Sequence, residues 1–243
     1  MNKTLNILSL GLKDYQETYK IQKELVKQRA AGQIPDTLLL VEHTPVFTIG
    51  RNGGRENILV SSIKLEKEGI NVHETDRGGD ITYHGPGQIV GYPIIDLKNY
   101  GKDIHLYLRM LEEVIIKLLE KFNIKAKRIK GMTGVWVRPV RDRSPFGDRT
   151  EVPEALLSSN GVDDKKIASI GIGVSRWVTY HGFALNIDPN IKHFAMINPC
   201  GLGKSVTCMK EQLNDRCPER KKIESKLFES FSEVFSKRNL SIV

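Results

Sequence analysis

Apolar residues at Ile104, Tyr107, Leu108, Leu111, Val114, Ile115, Leu118 and Phe122 recur at helical spacing through five turns. On either side the pattern changes to short β-branched runs. That switch constrains the fold most, because an amphipathic helix has to bury its stripe against a neighbouring layer. Residues 37–41, 46–49, 89–97, 135–137, 167–174 and 177–187 read as strands, the first two broken apart by Pro45. Asp14-Tyr15-Gln16-Glu17 reads as a capping box that opens a helix ending at Gly32, with an imperfect stripe of Tyr15, Tyr19 and Val26. A last helix carries Ile223, Leu227, Phe231, Val234 and Phe235 on one face. Helices and strands do not alternate as regular βαβ units. The expected class is therefore α/β of the mixed α+β kind, a mixed sheet flanked by helices. The 243 residues suit a single domain, 1–243, interrupted by a long aperiodic insertion at about 138–164 that carries Pro139, Pro145 and Pro153.

Charge and cysteine content exclude several classes. No apolar stretch approaches the ~18 residues of a membrane-spanning helix. The first arginine is Arg29, so an Arg-rich leader is not expected, and a cytoplasmic protein is the default. Cys200, Cys208 and Cys217 are odd in number and lack a CxxC pair. This argues against a disulfide framework and against a zinc site built with His193. The net charge of +8 and pI near 9.3 raise the question of nucleic acid, but no binding motif or aromatic-basic interleaving accompanies them. Residues 125–149 hold eight basic side chains (Lys125, Lys127, Arg128, Lys130, Arg138, Arg141, Arg143, Arg149) against Asp142 and Asp148. Such a run is either a solvated face or a docking surface for an acidic partner.

Glycines cluster where polar side chains also gather. In Arg77-Gly78-Gly79-Asp80-Ile81-Thr82-Tyr83-His84-Gly85-Pro86-Gly87-Gln88, glycine lets backbone approach a ligand while the side chains orient it. The same composition also fits a plain hairpin. It is neither a phosphate loop nor a dinucleotide fingerprint. A second run, Lys166-Ile167-Ala168-Ser169-Ile170-Gly171, opens on a lysine, and Asn198-Pro199-Cys200-Gly201 sets a thiol in a turn. A nearby ammonium would lower the pKa of that thiol, but sequence spacing alone does not bring Lys166 to Cys200.

Together with His43-Thr44-Pro45-Val46-Phe47-Thr48-Ile49-Gly50-Arg51, Gly91-Tyr92-Pro93 and His181-Gly182-Phe183-Ala184-Leu185-Asn186, these segments resemble one family. They are similar to the octanoyltransferases of lipoate biosynthesis, which transfer octanoyl groups from acyl carrier protein to proteins. The resemblance implies the catalytic-domain fold of biotin and lipoate protein ligases, with no cofactor and no metal. It implies Cys200 as acyl-thioester nucleophile and Lys166 as the residue that lowers its pKa. Substrate contacts carry over to Arg77, Gly78, Gly79, Asp80, Ile81, Thr82, Tyr83 and His84, to Ser169, Ile170 and Gly171, and to Gly182, Phe183 and Ala184. Ile170, Phe183 and Ala184 would suit an apolar slot for the acyl tail. The implied partners are octanoyl-acyl carrier protein and the lipoyl domains of 2-oxoacid dehydrogenase complexes and glycine cleavage H protein, without nucleic acid or membrane. Family members have a short turn where this chain inserts residues 138–164. His84 and His181 read either as general bases or as buried histidines that satisfy backbone groups. The alternatives are an ATP-dependent lipoate-protein ligase, which needs no cysteine, and a catalytically silent scaffold of the same fold.

Overall fold

At Thr44 and Pro45 the chain leaves one sheet and enters another. The computed structural model describes residues 5–138, 164–198 and 205–237. The larger sheet has seven strands: β1 (Asn6–Lys13), β2 (Thr37–His43), β6 (Gln88–Ile94), β10 (Val178–Asn186), β9 (Lys165–Ser175), β8 (Met132–Val137) and β7 (Ala126–Ile129), in that spatial order. Only β1 and β2 run parallel; the other pairs are antiparallel. The smaller sheet places β3 (Val46–Ile49) between β4 (Asn71–Glu74) and β5 (Ile81–His84). Among the described residues the class is the expected one, a mixed sheet with helices on both faces.

Strand β2 shows why helices lie on both faces. Leu38 and Leu40 point to one side and Leu39 and Val41 to the other, all buried, so the strand is apolar throughout rather than alternating. Helices α3 (Ile104–Glu120) and α5 (Arg220–Lys237) cover the first face. Asp103 caps α3 through the Leu106 N–H at 2.9 Å, and Leu111, Val114, Ile115 and Leu118 are fully buried. Truncating such a leucine to alanine costs about 2–5 kcal/mol. Helix α1 (Tyr15–Ala30) covers the second face, capped by the Asp14 carboxylate on the Gln16 and Glu17 N–H groups. Its stripe is imperfect for a reason: Gln22 is fully buried in it, and its side chain accepts the His181 N–H at 2.8 Å. The short helices α2 (Ser62–Lys67) and α4 (Met209–Leu213) complete the set.

One alternative reading is excluded and one strand is added. The glycine-rich run is not a hairpin: β5 and β6 follow one another but belong to different sheets, with Gly87 in the left-handed region (φ +88°) at the crossing. Residues ahead of the first helix, for which no element was expected, form edge strand β1. The proposed insertion falls on residues 139–163, outside the described residues; at its borders Arg138 is exposed and Asp164 is buried. None of the described helices is long and apolar enough to cross a membrane.

Candidate active site

Strands β9 and β10 form the floor of a cavity of ≈ 430 Å³. Gly171 and Gly182 lie opposite each other in the register, flanked by Ile170 and Phe183. The segment 77–80 crosses above as a roof, pinned by the Gly78 N–H on the Ile172 carbonyl at 2.8 Å. A Cβ on Gly171 would sit 2.7 Å from the Gly78 carbonyl oxygen, so glycine is required for roof and floor to meet. The loop 50–54 braces the roof through N–H bonds from Gly50, Arg51 and Asn52 to the carbonyls of Asp80, Arg77 and Gly79.

Every described site candidate except Tyr83 lines this cavity. Tyr83 turns into the small core, edge-on to Phe47, His193 and Phe194. Arg77 and Asp80 also build the roof. The Arg77 guanidinium donates to the Thr48 carbonyl at 2.6 Å, to the Thr48 hydroxyl at 2.9 Å and to the Gly78 carbonyl at 3.1 Å. The Asp80 carboxylate accepts from the Asn57 amide at 2.9 and 3.1 Å.

Lys166 occupies one end. Its stem passes Gly134, where a Cβ would lie 3.3 Å from the lysine Cε, and its ammonium lies 4.8 Å from the Trp136 ring centroid. Its backbone N–H donates to the Ser205 carbonyl and its carbonyl accepts the Thr207 N–H, both at 3.0 Å. Cys200 lies outside the described residues. The described neighbours on either side of it, Ile197 and Val206, both line the cavity, and the Asn198 N–H bonds the Asn57 carbonyl at 2.9 Å. The other two thiols are poor nucleophiles: burial raises the pKa of both Cys208 and Cys217.

The opposite end is lined with tyrosines and histidines. His43 bonds the Lys13 carbonyl and the Tyr92 hydroxyl, and burial pushes its pKa down to about 4. Burial also holds His84 and His181 below their usual range, so all three are neutral near pH 7. His181 adopts φ +54° and places Nε2 2.9 Å from Asp76. That carboxylate also accepts from Tyr19, Tyr180 and Lys23, and the His181 hydrogen bond is the largest influence holding its pKa well below the usual range. Sequence reasoning missed Asp76, Trp136 and Tyr15; the position of Asp76 immediately before the glycine-rich run was its only signal. His181 pairs with Ile172, six residues along β9 from Lys166, so roughly 20 Å of strand separates them. His181 and Lys166 therefore sit at different places along the floor.

A model of the lipoyl protein ligase A/B catalytic domain matches residues 14–232. The octanoyltransferase of Christiangramia forsetii is 40% identical, covering 97% of this chain and 97% of its own. That of Caldicellulosiruptor saccharolyticus is 43% identical over 95% of this chain and 88% of its own. The solved bipartite lipoate protein ligase from Thermoplasma acidophilum, studied with its E2 lipoyl domain, aligns with a TM-score of 0.63 at 15% identity. It covers 95% of this chain and 83% of that one, a likeness of fold.

Proposed function

Because the chain belongs to the lipoyl protein ligase A/B catalytic-domain family and is an acyltransferase of its octanoyltransferase branch, we propose that it transfers octanoyl groups from acyl carrier protein to a lipoyl-domain lysine through a thioester on Cys200. The Cys200 thiolate adds to the donor thioester carbonyl; a new C–S bond forms and the carrier thiolate leaves. The acceptor lysine, as free amine, then attacks the acyl-enzyme. A C–N bond forms, the Cys200 C–S bond breaks, and the proton shed by the amine nitrogen restores the thiol or passes to solvent. The first step exchanges one thioester for another and the second converts a thioester to an amide, so ATP is not needed. Division into two steps gives ping-pong kinetics.

The observation that carries this reading is the pair of backbone hydrogen bonds joining Lys166 to Ser205 and Thr207, which anchors the chain just beyond Cys200 to the lysine. An ammonium near the thiol favours its thiolate. The apolar floor at Ile170, Phe183 and Ala184 suits the acyl tail.

Mass spectrometry after incubation with octanoyl-acyl carrier protein tests the proposal. One octanoyl mass is expected on Cys200, removable by hydroxylamine, lost in Cys200→Ser and retained in Cys208→Ser and Cys217→Ser. Label on Cys208 or Cys217 would overturn the assignment, and transfer that depends on ATP would favour the ligase reaction.

A further inference from the structure

The cavity does not end in solid protein. Tyr15 lines it from within and also lines a separate surface depression bordered by Lys20, Arg51 and His73. The Tyr15 ring is only 4% exposed and stands between two histidines in near-parallel file. His84 lies on the cavity side with centroids 6.4 Å apart and planes at 7°; His73 lies on the outer side at 5.8 Å and 18°. The Tyr15 hydroxyl donates to the Thr75 hydroxyl oxygen at 2.9 Å, and that oxygen lies 3.4 Å from His181 Nε2. Tyr15, latched at its hydroxyl, is thus the described residue that faces both the cavity and the surface depression.

Tyr15 stands at the His181 end of the floor, roughly 20 Å of strand from Lys166. The Lys166 end is where the reading above places the acyl carbonyl, and the inference rests on that reading. With the carbonyl there, the tail lies along the floor past Ile170, Phe183 and Ala184, beside the point where roof and floor meet, toward Tyr15. An extended octanoyl chain spans about 9 Å from carbonyl to methyl. It uses about half of the floor, whereas a hexadecanoyl chain, at about 19 Å, needs the whole backbone length between Lys166 and Ile172, part of which the Lys166 and Tyr15 side chains themselves occupy, so its end meets the Tyr15 ring.

We propose that Tyr15 is the end wall of the acyl channel and the residue that limits the length of the chain it admits. Removing the ring joins the cavity to the outer depression and gives longer chains a route outward. Tyr15→Phe keeps the ring and loses only the latch, so its chain-length profile stays close to that of the parent.

The test compares parent, Tyr15→Phe, Tyr15→Leu and Tyr15→Ala with octanoyl and hexadecanoyl thioesters, circular dichroism confirming the fold of each. The hexadecanoyl-to-octanoyl ratio of kcat/KM is expected to rise at least tenfold in Tyr15→Ala and less in Tyr15→Leu. Should the alanine variant fail to fold, the leucine variant carries the comparison. Competition between free octanoic and hexadecanoic acids for binding is measured on the same proteins and needs no thioester chemistry. A shifted binding ratio without any acyl adduct would keep the wall and reject the cysteine mechanism. An unchanged binding ratio in a folded leucine or alanine variant would overturn the wall, whatever the adduct shows.

Discussion

The ammonium of Lys166 lies 4.8 Å from the centroid of the Trp136 ring, and the stem that carries it passes the bare backbone of Gly134. An aromatic face attracts the charged form of lysine over the neutral one by roughly 1 kcal/mol. The ring thereby helps to hold the ammonium in place, and Trp136→Leu, which frees it to move, is expected to raise the apparent pKa of Cys200 alkylation by up to about one unit. Octanoyl transfer should slow up to about tenfold at neutral pH, and Trp136→Phe should recover most of the loss. Alkylation of each variant across pH 5–9 checks this; a profile that does not move would mean that the indole only fills space.

The basic window near β7 is less open to a partner than its composition promises. Arg128 is spent on the fully buried Glu112 at 3.0 Å and on Glu113 at 2.6 Å, while Lys127 pairs with Asp164 at 2.8 Å. Glu112 in turn accepts the Gly134 N–H at 3.2 Å, so this network holds β8 against α3. Arg128→Glu is expected to destabilise the fold by about 1–3 kcal/mol, because it sets a second carboxylate beside a buried one that Arg109, at 2.6 Å, still pairs. Lys125→Glu with Lys130→Glu, both at exposed positions, should leave Tm within a few degrees. If this face receives an acidic carrier protein, the double variant raises KM for it several-fold and weakens the salt dependence, with little change for a small octanoyl thioester. Equal losses with both donors would exclude docking there.

Stability should fall as the pH drops from about 7 to 5. His43 has a folded pKa of about 4, below the unfolded value near 6.5, so in that interval the unfolded chain takes up a proton that the folded one refuses. His84 and His181, also lowered by burial, act in the same direction. Asp76 has the opposite charge and a lower window. Its depressed carboxyl stabilises the fold above the unfolded value near 3.9, and that stability is lost as the pH falls toward the folded value. Replacing His43 by Gln should flatten the slope between pH 7 and 5, whereas Asp76→Asn should lower Tm most at neutral pH and least below about pH 4. Thermal unfolding at half-unit steps reads both; a wild-type Tm constant from pH 7 to 5 would show that the histidines titrate alike in the two states.

Periodicity places α3 to within a few residues because its buried face is apolar apart from Glu112, and β9 and β10 emerge from β-branched runs. The site at residues 77–84 and 169–171 is visible as composition, since a backbone that must cross a sheet needs glycine at the crossing. What stays hidden depends on partners distant in sequence. Gln22 breaks the stripe of α1 because it serves the backbone of His181, 159 residues away. Tyr83 looks equivalent to its neighbours in the run, yet the alternation of β5 turns it into the small core. Asp76 acquires its role only when Tyr19, Lys23, Tyr180 and His181 converge on it, and no local pattern announces such a meeting.

The glycine crossing also limits how this channel can diversify. At Gly171 the Gly78 carbonyl fills the position of a side chain, and at Gly182 the Gly91 backbone does. Substitution can only add atoms at these points, so a new preference along the middle of the floor would require moving two segments of main chain together. Point mutations that alter selectivity are therefore channelled to the two ends and to side chains projecting from the roof, while the middle gauges the thickness of whatever lies in it. On the function proposed above, a straight methylene chain would lie beside this contact, and a branched or ring-bearing acyl group would meet backbone.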